Sequence, residues 1–256
     1  MIALLGNLSR DLLPGQEPRA GGGPFHAARA LRRLDVRAQL YARCALEDYD
    51  ALLLPVVRLG TPVEYIPGES TATFRISYDG DTRSMVMEAV GDVWQPEDVP
   101  TLRENVRWVH VAPLARTDFP AETLARIARG RRLSLDGQGL VRASALGDLR
   151  LDDAYDPAVL DHVQVLKLAE EEAEILGDPA ALPVREVIVT HGTRGATVYA
   201  DGAVERIAAF GIDVDPTGAG DAFAVAYMAA RASGVPPVAA ARRATVVVAD
   251  MLAEHT

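Results

Sequence analysis

The chain alternates short runs of apolar and β-branched residues with longer segments that are rich in alanine and arginine. The longer segments, such as FHAARALRRL and AETLARIARG, carry apolar residues at helical spacing, whereas the short runs predict strands. The clearest strand candidates are IALLG, AQLYAR, VRWVHVA, RRLSLDG, HVQVLKL and EVIVTHG. This order of elements predicts an α/β fold with a mostly parallel sheet covered on both faces. We therefore expect the functional residues in loops that follow the strands, because ligands of such folds bind there.

One interval, residues 61–91, breaks this alternation and carries no helical pattern. Within it TATFRISY and RSMVMEA alternate as strands do, and the DGD between them is typical of a hairpin turn. The interval predicts a small β flap inserted in a single α/β domain that spans residues 1–256. The exposed strand edges of such a flap could be covered within the chain or could pair with a second copy, so a homodimer through the flap stays open.

Composition and charge narrow the class of protein. The chain has 256 residues, 49% of them hydrophobic, which is sufficient for one large domain with its own core. Its formal net charge of −10 argues against a nucleic-acid or anionic membrane surface, because both require clustered basic side chains. Neither a basic leader nor a run of eighteen apolar residues is present, so we expect a cytoplasmic protein with no membrane partner.

Counts of single residue types exclude several kinds of site. Cys44 is the only cysteine, which excludes an internal disulfide and leaves no Cys/His cluster at zinc-site spacing. Lys167 is the only lysine and no glycine precedes it, which excludes a phosphate loop of the Gly-Lys-Ser/Thr type. GNLSRD after the first strand lacks the glycines of a dinucleotide-binding loop and argues against a dehydrogenase. Any nucleotide must be bound in another way.

The segment DPTGAGDAF, just before an alanine-rich apolar run, carries the strongest chemical signal. Gly218, Ala219 and Gly220 allow the backbone to approach a ligand, and a helix starting here would add unpaired N–H groups, which together form an anion hole. Asp221 is a candidate base whose pKa we expect the helix start to lower. Phosphoryl transfer tolerates such a weak base, because the attacking hydroxyl loses its proton late. The alternative is an ordinary loop in which Asp221 only complements the helix dipole.

This segment resembles the C-terminal signature D-x-T-G-A-G-D-x-F of the ribokinase-like (PfkB-type) carbohydrate kinases, and every fixed position matches. The resemblance implies a ribokinase-like three-layer sandwich in which the 61–91 flap is a lid over the sugar. It also implies ATP and Mg²⁺ as cofactors and a small sugar or polyol as substrate. In that family the glycines of the signature hold the transferred phosphoryl group, and the aspartate, here Asp221, is the base.

A second element, VTHGTRGATVY, is similar to the family's T-x-G-x-x-G element. The resemblance implies that Thr190, Gly192 and Gly195 border the donor phosphates, and that Thr217 of the signature lies with them. Arg194 in the same turn is a candidate cation for the phosphates. Taken alone, the segment also fits a plain hairpin.

The acceptor side is implied by two further elements. RAGGGPFHAARALRRL is similar to the family's double-glycine element, which implies that Gly22 and Gly23 contact substrate. Asp11 stands where the family often has an aspartate that bonds sugar hydroxyls. Many members have an asparagine shortly after the double glycine, whereas His26 is the nearest polar candidate here. A flexible turn and a helix or turn cap are the alternatives for these two elements.

VLKLAEEEAEIL resembles the family's K-x-N-x-x-E element, with Ala169 at the asparagine position. Glu172 retains the glutamate, which implies that it organises Mg²⁺ through water. The alternative for Glu172 is a place on a solvated acidic helix face.

LSLDGQGLVR stands where many members have D-x-N-x-R, and its D-x-Q-G-x-x-R form resembles the myo-inositol kinase branch. That resemblance favours a cyclic polyol as acceptor and Gln138 as a substrate contact. Arg142 is the first candidate for the phosphate cation, ahead of Arg194, because a guanidinium group matches phosphate oxygens.

These motifs predict an ATP-dependent kinase that transfers the γ-phosphoryl group to a hydroxyl of a small sugar or cyclic polyol. A ribose or nucleoside kinase with a similar site is one alternative. A protein of the same fold that binds a polyol or nucleotide without turnover is another, favoured by the missing asparagines and opposed by the intact DPTGAGDAF.

Overall fold

The computed structural model describes residues 1–34, 36–79, 82–209 and 217–253. The strands are β1 (Ile2–Asn7), β2 (Ser9–Leu12), β3 (Arg19–Gly21), β4 (Ala38–Ala45), β5 (Val63–Gly68), β6 (Ala72–Asp79), β7 (Thr82–Ala89), β8 (Trp108–Ala112), β9 (Arg132–Asp136), β10 (Gly147–Asp148), β11 (Val163–Ala169), β12 (Glu186–Thr190), β13 (Ala196–Ala200) and β14 (Ala203–Ile207). The α-helices are α1 (Gly23–Leu31), α2 (Leu54–Arg58), α3 (Ala121–Ala128), α4 (Gln138–Val141), α5 (Glu170–Leu176), α6 (Ala219–Ala232) and α7 (Pro237–Ala253). None of the helices in these ranges is both long and apolar enough to cross a membrane. Gly80 and Asp81 of the predicted turn and Asp215 of the signature lie outside the described residues.

Nine of the described strands form one large sheet in the order β14-β13-β12-β11-β9-β8-β1-β4-β5. Every neighbouring pair from β5 to β12 is parallel, and β13 pairs antiparallel with both β12 and β14. The prediction of a mostly parallel sheet is confirmed. Because the parallel strands all end at the same edge, the loops after β1, β8, β9, β11 and β12 are brought together there.

Two apolar cores lie on opposite faces of the large sheet, because successive strand residues point to opposite sides. In β1, Leu4 belongs to the core that includes α1, α6 and α7, whereas Leu5 belongs to the core that includes α3 and α5. The strands are therefore buried on both faces, which explains their continuous apolar sequences. The result is a three-layer sandwich with helices on both sides of the sheet.

A small sheet of five described strands, in the order β10-β7-β6-β2-β3, lies beside this sandwich. The interval 61–91 is divided between the two sheets, since β5 extends the large sheet by pairing with β4 and the β6–β7 hairpin belongs to the small one. The other three strands of the small sheet come from outside the interval. One of its faces is apolar, and Phe74, Ile76 and Met87 on it form a buried cluster with Leu114 and Ala115 after β8. A closing motion of this sheet over a substrate stays a prediction.

Helix α6 is anchored to the large sheet at its C-terminal end. Glu186, at the start of β12, is buried and accepts hydrogen bonds from Tyr227 Oη at 2.7 Å and from Arg231 Nη2 at 2.6 Å. Arg231 also donates through Nε at 2.9 Å, so the guanidinium group and the carboxylate form a bidentate pair. This contact fixes the axis of the helix whose other end begins at Gly218.

We expect Arg231→Met to lower the free energy of unfolding by about 3 kcal/mol, because it leaves the buried Glu186 carboxylate without its charged partner. Urea unfolding followed by circular dichroism measures this difference. Arg185→Met is the matched control, since it removes an exposed ion pair with Asp201 and should cost less than about 1 kcal/mol. Equal midpoints for the two variants would contradict the anchoring role.

Candidate active site

The only lysine of the chain lies in a buried charged cluster at the carboxyl edge of the large sheet. The register of β9 and β11 places Lys167 beside Asp136, and Nζ lies 3.2 Å from Asp136 Oδ2. Lys167 is 6% exposed and Asp136 is fully buried. Burial opposes the charged form of the lysine, but the carboxylates of Asp136, Glu172 and Asp221 outweigh it and raise the pKa of Lys167. The site therefore contains a permanent buried cation.

Lys167 also reaches the start of α6. A Cβ added at Gly220 would lie 2.9 Å from Lys167 Nζ, so the ammonium group lies directly against the backbone of the first helical turn. Gly218, the residue before the helix, has a φ of 83°, which glycine adopts without strain. The ammonium group and the free N–H groups of the first helical turn thus lie together, and both attract an anion.

Asp221 lies in the first turn of α6 with its side chain directed inward. Its Oδ1 is buried and has no hydrogen-bond partner in the part of the chain that the structure describes. Burial and the nearby Asp136 raise the pKa of Asp221 to about 7, against the opposing charges of Lys167 and Arg142. The expected lowering of this pKa is wrong, because loss of solvent outweighs the effect of the helix start. A carboxylate that titrates near neutral pH is better suited to accept a proton.

The double-glycine segment contacts Asp221 and the anion hole. A Cβ added at Gly23 would lie 3.4 Å from Asp221 Oδ1 and 2.2 Å from Ala112 Cβ. A Cβ added at Gly218 would lie 2.3 Å from His26 Nδ1, so the imidazole ring packs directly on the helix start. Gly22 has a φ of 88° and its Cα faces the end of β1. The structure thus brings Gly22, Gly23 and His26 together with the signature, as the resemblance implies.

Asp11 is connected to this segment through the small sheet. Its carboxylate accepts a hydrogen bond from Ser9 Oγ at 2.8 Å, and a Cβ added at Gly21 would lie 2.3 Å from Asp11 Oδ2. The pairing of β2 with β6 places Asp11 opposite Phe74, so both lie on the face of the small sheet that packs toward Leu114. Asp11, the glycines and Asp221 therefore follow one another along one side of the site.

Three more of the expected residues belong to the surroundings of Asp136, Gln138 and Arg142 in the segment after β9 and Glu172 in α5. The Gln138 backbone N–H donates to Asp136 Oδ1 at 3.2 Å. Glu172 is 3% exposed and accepts a hydrogen bond at Oε2 from the Ala169 N–H at 2.8 Å. The solvated helix face considered for Glu172 is therefore wrong. Lys167 is the main cause of the lowered pKa of Asp136, and the positive charge of Arg142 acts in the same direction on Asp136, Glu172 and Asp221.

Sequence reasoning missed Lys167 and His110 as parts of the site. His110 lies on β8 opposite Ser134, whose Oγ is 3.1 Å from Nδ1, and burial lowers the pKa of His110 to about 4. His110 is therefore uncharged at neutral pH and lies near Asp136. Each of these residues interrupts an apolar strand, and a charged or ionisable residue there requires a partner on the next strand. That signal was present, but only the strand order identifies the partner.

A cavity of about 560 Å³ opens beyond the ends of β11 and β12. Its lining combines Lys167, Thr190, Gly195 and Gly220 with the apolar side chains of Phe223 and of the α7 residues Val248, Ala249 and Leu252. Gly192 and Arg194 line the same cavity, so four of the five residues expected at the donor phosphates lie together. Thr217, the fifth, directly precedes Gly218 at the start of α6. The anion hole forms the boundary between this cavity and Asp221.

Arg194 borders the cavity but its charge is already compensated. It forms an ion pair with Glu170, and its side chain is 68% exposed. Glu170 also bonds His191 Nδ1 at 3.0 Å, and His191 Nε2 lies 2.9 Å from Thr197 Oγ1. Lys167 and Arg142 are therefore the cations that lie deeper in the site.

Comparison with known proteins places the chain among sugar and polyol kinases. Residues 61–254 match the profile of the pfkB family carbohydrate kinases. Inositol 3-kinase of Zea mays is 37% identical over 114 residues, a match that covers 42% of this chain and 30% of the maize protein. The match thus spans less than a third of that relative's length. Fructokinase of Escherichia coli is 27% identical over 252 residues, covering 87% of this chain and 81% of the relative.

Among solved structures, the fold is similar to that of a pyrophosphate-dependent kinase of the ribokinase family that was solved with a pyrophosphate analogue and myo-inositol. The TM-score is 0.85 at 22% identity, and the alignment covers 99% of this chain and 95% of the other. The expectation of a ribokinase-like fold is confirmed.

We expect Asp221→Asn to stabilise the protein at pH 8 and to change its stability less at pH 5. The pKa of Asp221 is raised in the folded protein, so stability present below about pH 4 is lost as the pH rises toward 7. Asparagine does not titrate, so the variant does not lose stability in this way as the pH rises. Urea midpoints at the two pH values measure the difference.

Val225→Ala, in the same helix and fully buried, is the control, because it should destabilise the protein equally at both pH values. A difference between Asp221→Asn and the native protein that stays the same from pH 5 to pH 8 would contradict the raised pKa.

Proposed function

The chain belongs to the pfkB family of carbohydrate kinases, and from this premise we propose that it transfers a phosphoryl group to a hydroxyl of a small sugar or cyclic polyol. One observation carries the proposal. A buried carboxylate oxygen without a partner among the described residues, a buried ammonium group and the start of α6 meet at the mouth of a cavity. Phosphoryl transfer needs a group that accepts the hydroxyl proton next to a site that holds negative charge.

In the proposed reaction the acceptor hydroxyl donates its hydrogen bond to Asp221 Oδ1. The hydroxyl oxygen attacks the terminal phosphorus of the donor, the bond from that phosphorus to the bridging oxygen breaks, and the proton passes to Asp221. The remainder of the donor leaves with the bridging oxygen and the electron pair of that bond. The amides of Gly218 to Gly220 and the ammonium group of Lys167 stabilise the charge on the transferred group. Arg142 adds a second positive charge from the side of Asp136.

ATP is the proposed donor because the cavity lining combines polar and apolar residues, which we assign to two ends. The polar end, with Lys167 and Thr190, suits phosphates, and the apolar end, with Phe223 and Val248, suits a purine base. Pyrophosphate, the donor of the similar solved kinase, has no group that would occupy the apolar end. It is therefore the competing donor in the test below.

Mg²⁺ would be held mainly by the donor phosphates, with Glu172 as the protein carboxylate that holds it through water. Among the described residues no group of three His, Cys, Asp or Glu side chains could hold a metal ion by itself, which agrees with a metal that arrives on the donor. When bound, Mg²⁺ neutralises part of the phosphate charge.

A cyclic polyol is the proposed acceptor. The Asp11 carboxylate, which accepts a hydrogen bond from Ser9 Oγ, would accept hydrogen bonds from ring hydroxyls, and it lies on the same side of the site as Gly23 and Asp221. The 37% identity with an inositol 3-kinase over 114 residues supports this choice. In this proposal the small sheet is the lid that excludes water from the acceptor.

We expect Mg²⁺-dependent release of ADP from ATP in the presence of one class of acceptor from a panel of inositols, ketoses, aldoses and nucleosides. Asp221→Asn should lower kcat by about 10²- to 10⁴-fold, because it removes the group that takes the proton. Arg185→Met, far from the site, should keep native kcat.

Turnover with nucleosides or ribose alone would replace the cyclic polyol by that acceptor class. Calorimetric binding of a polyol without turnover would contradict the kinase and favour a ligand-binding regulator of the same fold.

We expect Ala249→Trp to raise the KM for ATP about tenfold or more by filling the apolar end of the cavity, with little effect on any turnover supported by pyrophosphate. Initial rates with each donor measure this. Val246→Trp is the matched control, because Val246 lies on the same helix but is exposed. An unchanged KM for ATP in Ala249→Trp would contradict the placement of the base.

A further inference from the structure

An arm of the chain, residues 142–151, connects Arg142 with the small sheet. At its base Arg142 forms a β-bridge with Leu151, and the Ala143 N–H donates to the Arg150 carbonyl oxygen at 2.9 Å. At its tip β10 pairs with β7, and the Leu149 N–H donates to the Met85 carbonyl oxygen at 2.9 Å. Arg142 is therefore joined through the backbone of this arm to the sheet proposed as the lid.

Arg116 binds the base of this arm from the loop after β8. Its Nε donates to the Leu140 carbonyl oxygen at 2.9 Å, and its Nη2 donates to the carbonyl oxygens of Val141 at 3.1 Å and Asp152 at 3.0 Å. It also forms an ion pair with the Asp152 carboxylate. The Arg116 backbone N–H donates to the carbonyl oxygen of Arg142 itself at 3.0 Å. Arg116 thus binds the chain at residues 140–142, where the arm begins, and at Asp152, where it ends.

The loop that carries Arg116 is itself fixed. Asp118 Oδ2 accepts hydrogen bonds from the Leu114 N–H at 2.7 Å and from Asn7 Nδ2 at 3.2 Å, which ties the loop to the end of β1. Thr117 Oγ1 donates to Ser144 Oγ in the arm at 2.7 Å. Leu114 packs against the apolar face of the small sheet. The loop therefore contacts the small sheet, the arm and the central strand β1 at once.

We propose that Arg116 is a positioning residue that sets Arg142 against the transferred phosphoryl group and couples this setting to the small sheet. The inference rests on the proposed phosphoryl transfer and on the role of Arg142 in it. Arg142 forms no side-chain hydrogen bond or ion pair among the described residues, so its backbone is the means by which its guanidinium group is placed. Arg116 fixes that backbone through the carbonyl oxygens of residues 140, 141 and 152.

A misplaced Arg142 lowers kcat more than it raises KM, because the phosphoryl charge that Arg142 meets is greatest in the transition state. A displacement of about 1 Å can cost about 10²-fold in rate. We expect Arg116→Met to lower kcat by about 10- to 100-fold while the KM for the donor changes less than about threefold. A residue that only stabilised the fold would leave kcat per folded molecule unchanged.

The decisive experiment is a double-mutant cycle with Arg116→Met, Arg142→Met and the double variant, measured as kcat per folded enzyme. If Arg116 acts through Arg142, the double variant has the kcat of Arg142→Met alone. Losses of kcat that multiply in the double variant would overturn the proposal. A native kcat in Arg116→Met together with a lowered kcat in Arg142→Met would overturn it as well. Native kcat in Arg142→Met would overturn the role of Arg142 and this inference with it, while leaving the kinase activity itself standing.

Arg75→Met is the control, because it removes an exposed ion pair with Glu88 within the small sheet and should keep native kcat. Where Arg116→Met does not give folded protein, Asp152→Asn replaces it in the cycle. That change removes the ion pair but leaves the bonds of Arg116 to the carbonyl oxygens of residues 140 and 141. It should lower kcat by a smaller factor that again disappears in the Arg142→Met background, and a factor that persists there would overturn the proposal.

Discussion

The ion pair between Lys167 and Asp136 is the interaction on which the site depends. A buried ammonium group is stable only beside carboxylates, and here one cation is surrounded by Asp136, Glu172 and Asp221. Asp136 is the direct partner and its pKa is lowered, whereas the pKa values of Glu172 and Asp221 are raised. Of the two carboxyl groups with a raised pKa, Asp221 is the one whose Oδ1 has no hydrogen-bond partner among the described residues, and it lies at the start of α6, where a proton has to be accepted. Charge balance thus separates a structural carboxylate from a reactive one within a single cluster.

The scaffold fixes this balance through two constraints at opposite ends of the molecule. The parallel register of β9 and β11 places Lys167 beside Asp136. At the far end, the pair between Glu186 and Arg231 holds the last turn of α6 against β12. Because α6 is one continuous helix of 14 residues, fixing its last turn also helps to fix the position of Gly220 and Asp221 in its first turn, beside the ammonium group. The glycine at position 220 lets Nζ approach the helix backbone, because a Cβ there would lie 2.9 Å from Nζ.

The sequence was sufficient to predict the strands and helices with strong periodicity and the helix start at the signature. All six strand candidates, both quoted helices and the mostly parallel sheet are present, and the described part of the signature, from Thr217 to Phe223, does open α6. The small sheet was only partly predicted, because β2, β3 and β10 have four, three and two residues, too few to show an alternating pattern. β5 is an edge strand of the large sheet, a placement that depends on pairing across the chain. The pKa of Asp221 was predicted in the wrong direction, since the sequence shows the helix start but not the burial that outweighs it.

The same charge argument distinguishes the two arginines that the motifs offered. Arg194 is exposed and paired with Glu170, so an incoming phosphate would have to compete with a carboxylate for it. The positive charge of Arg142 acts on Asp136, Glu172 and Asp221. A donor phosphate that binds beside those carboxylates can interact with the Arg142 guanidinium group, which forms no ion pair with a single carboxylate among the described residues. The Arg142 guanidinium group can follow the negative charge that develops on the transferred phosphoryl group only while the Arg142 backbone stays in place. The hydrogen bonds of Arg116 provide that fixed backbone.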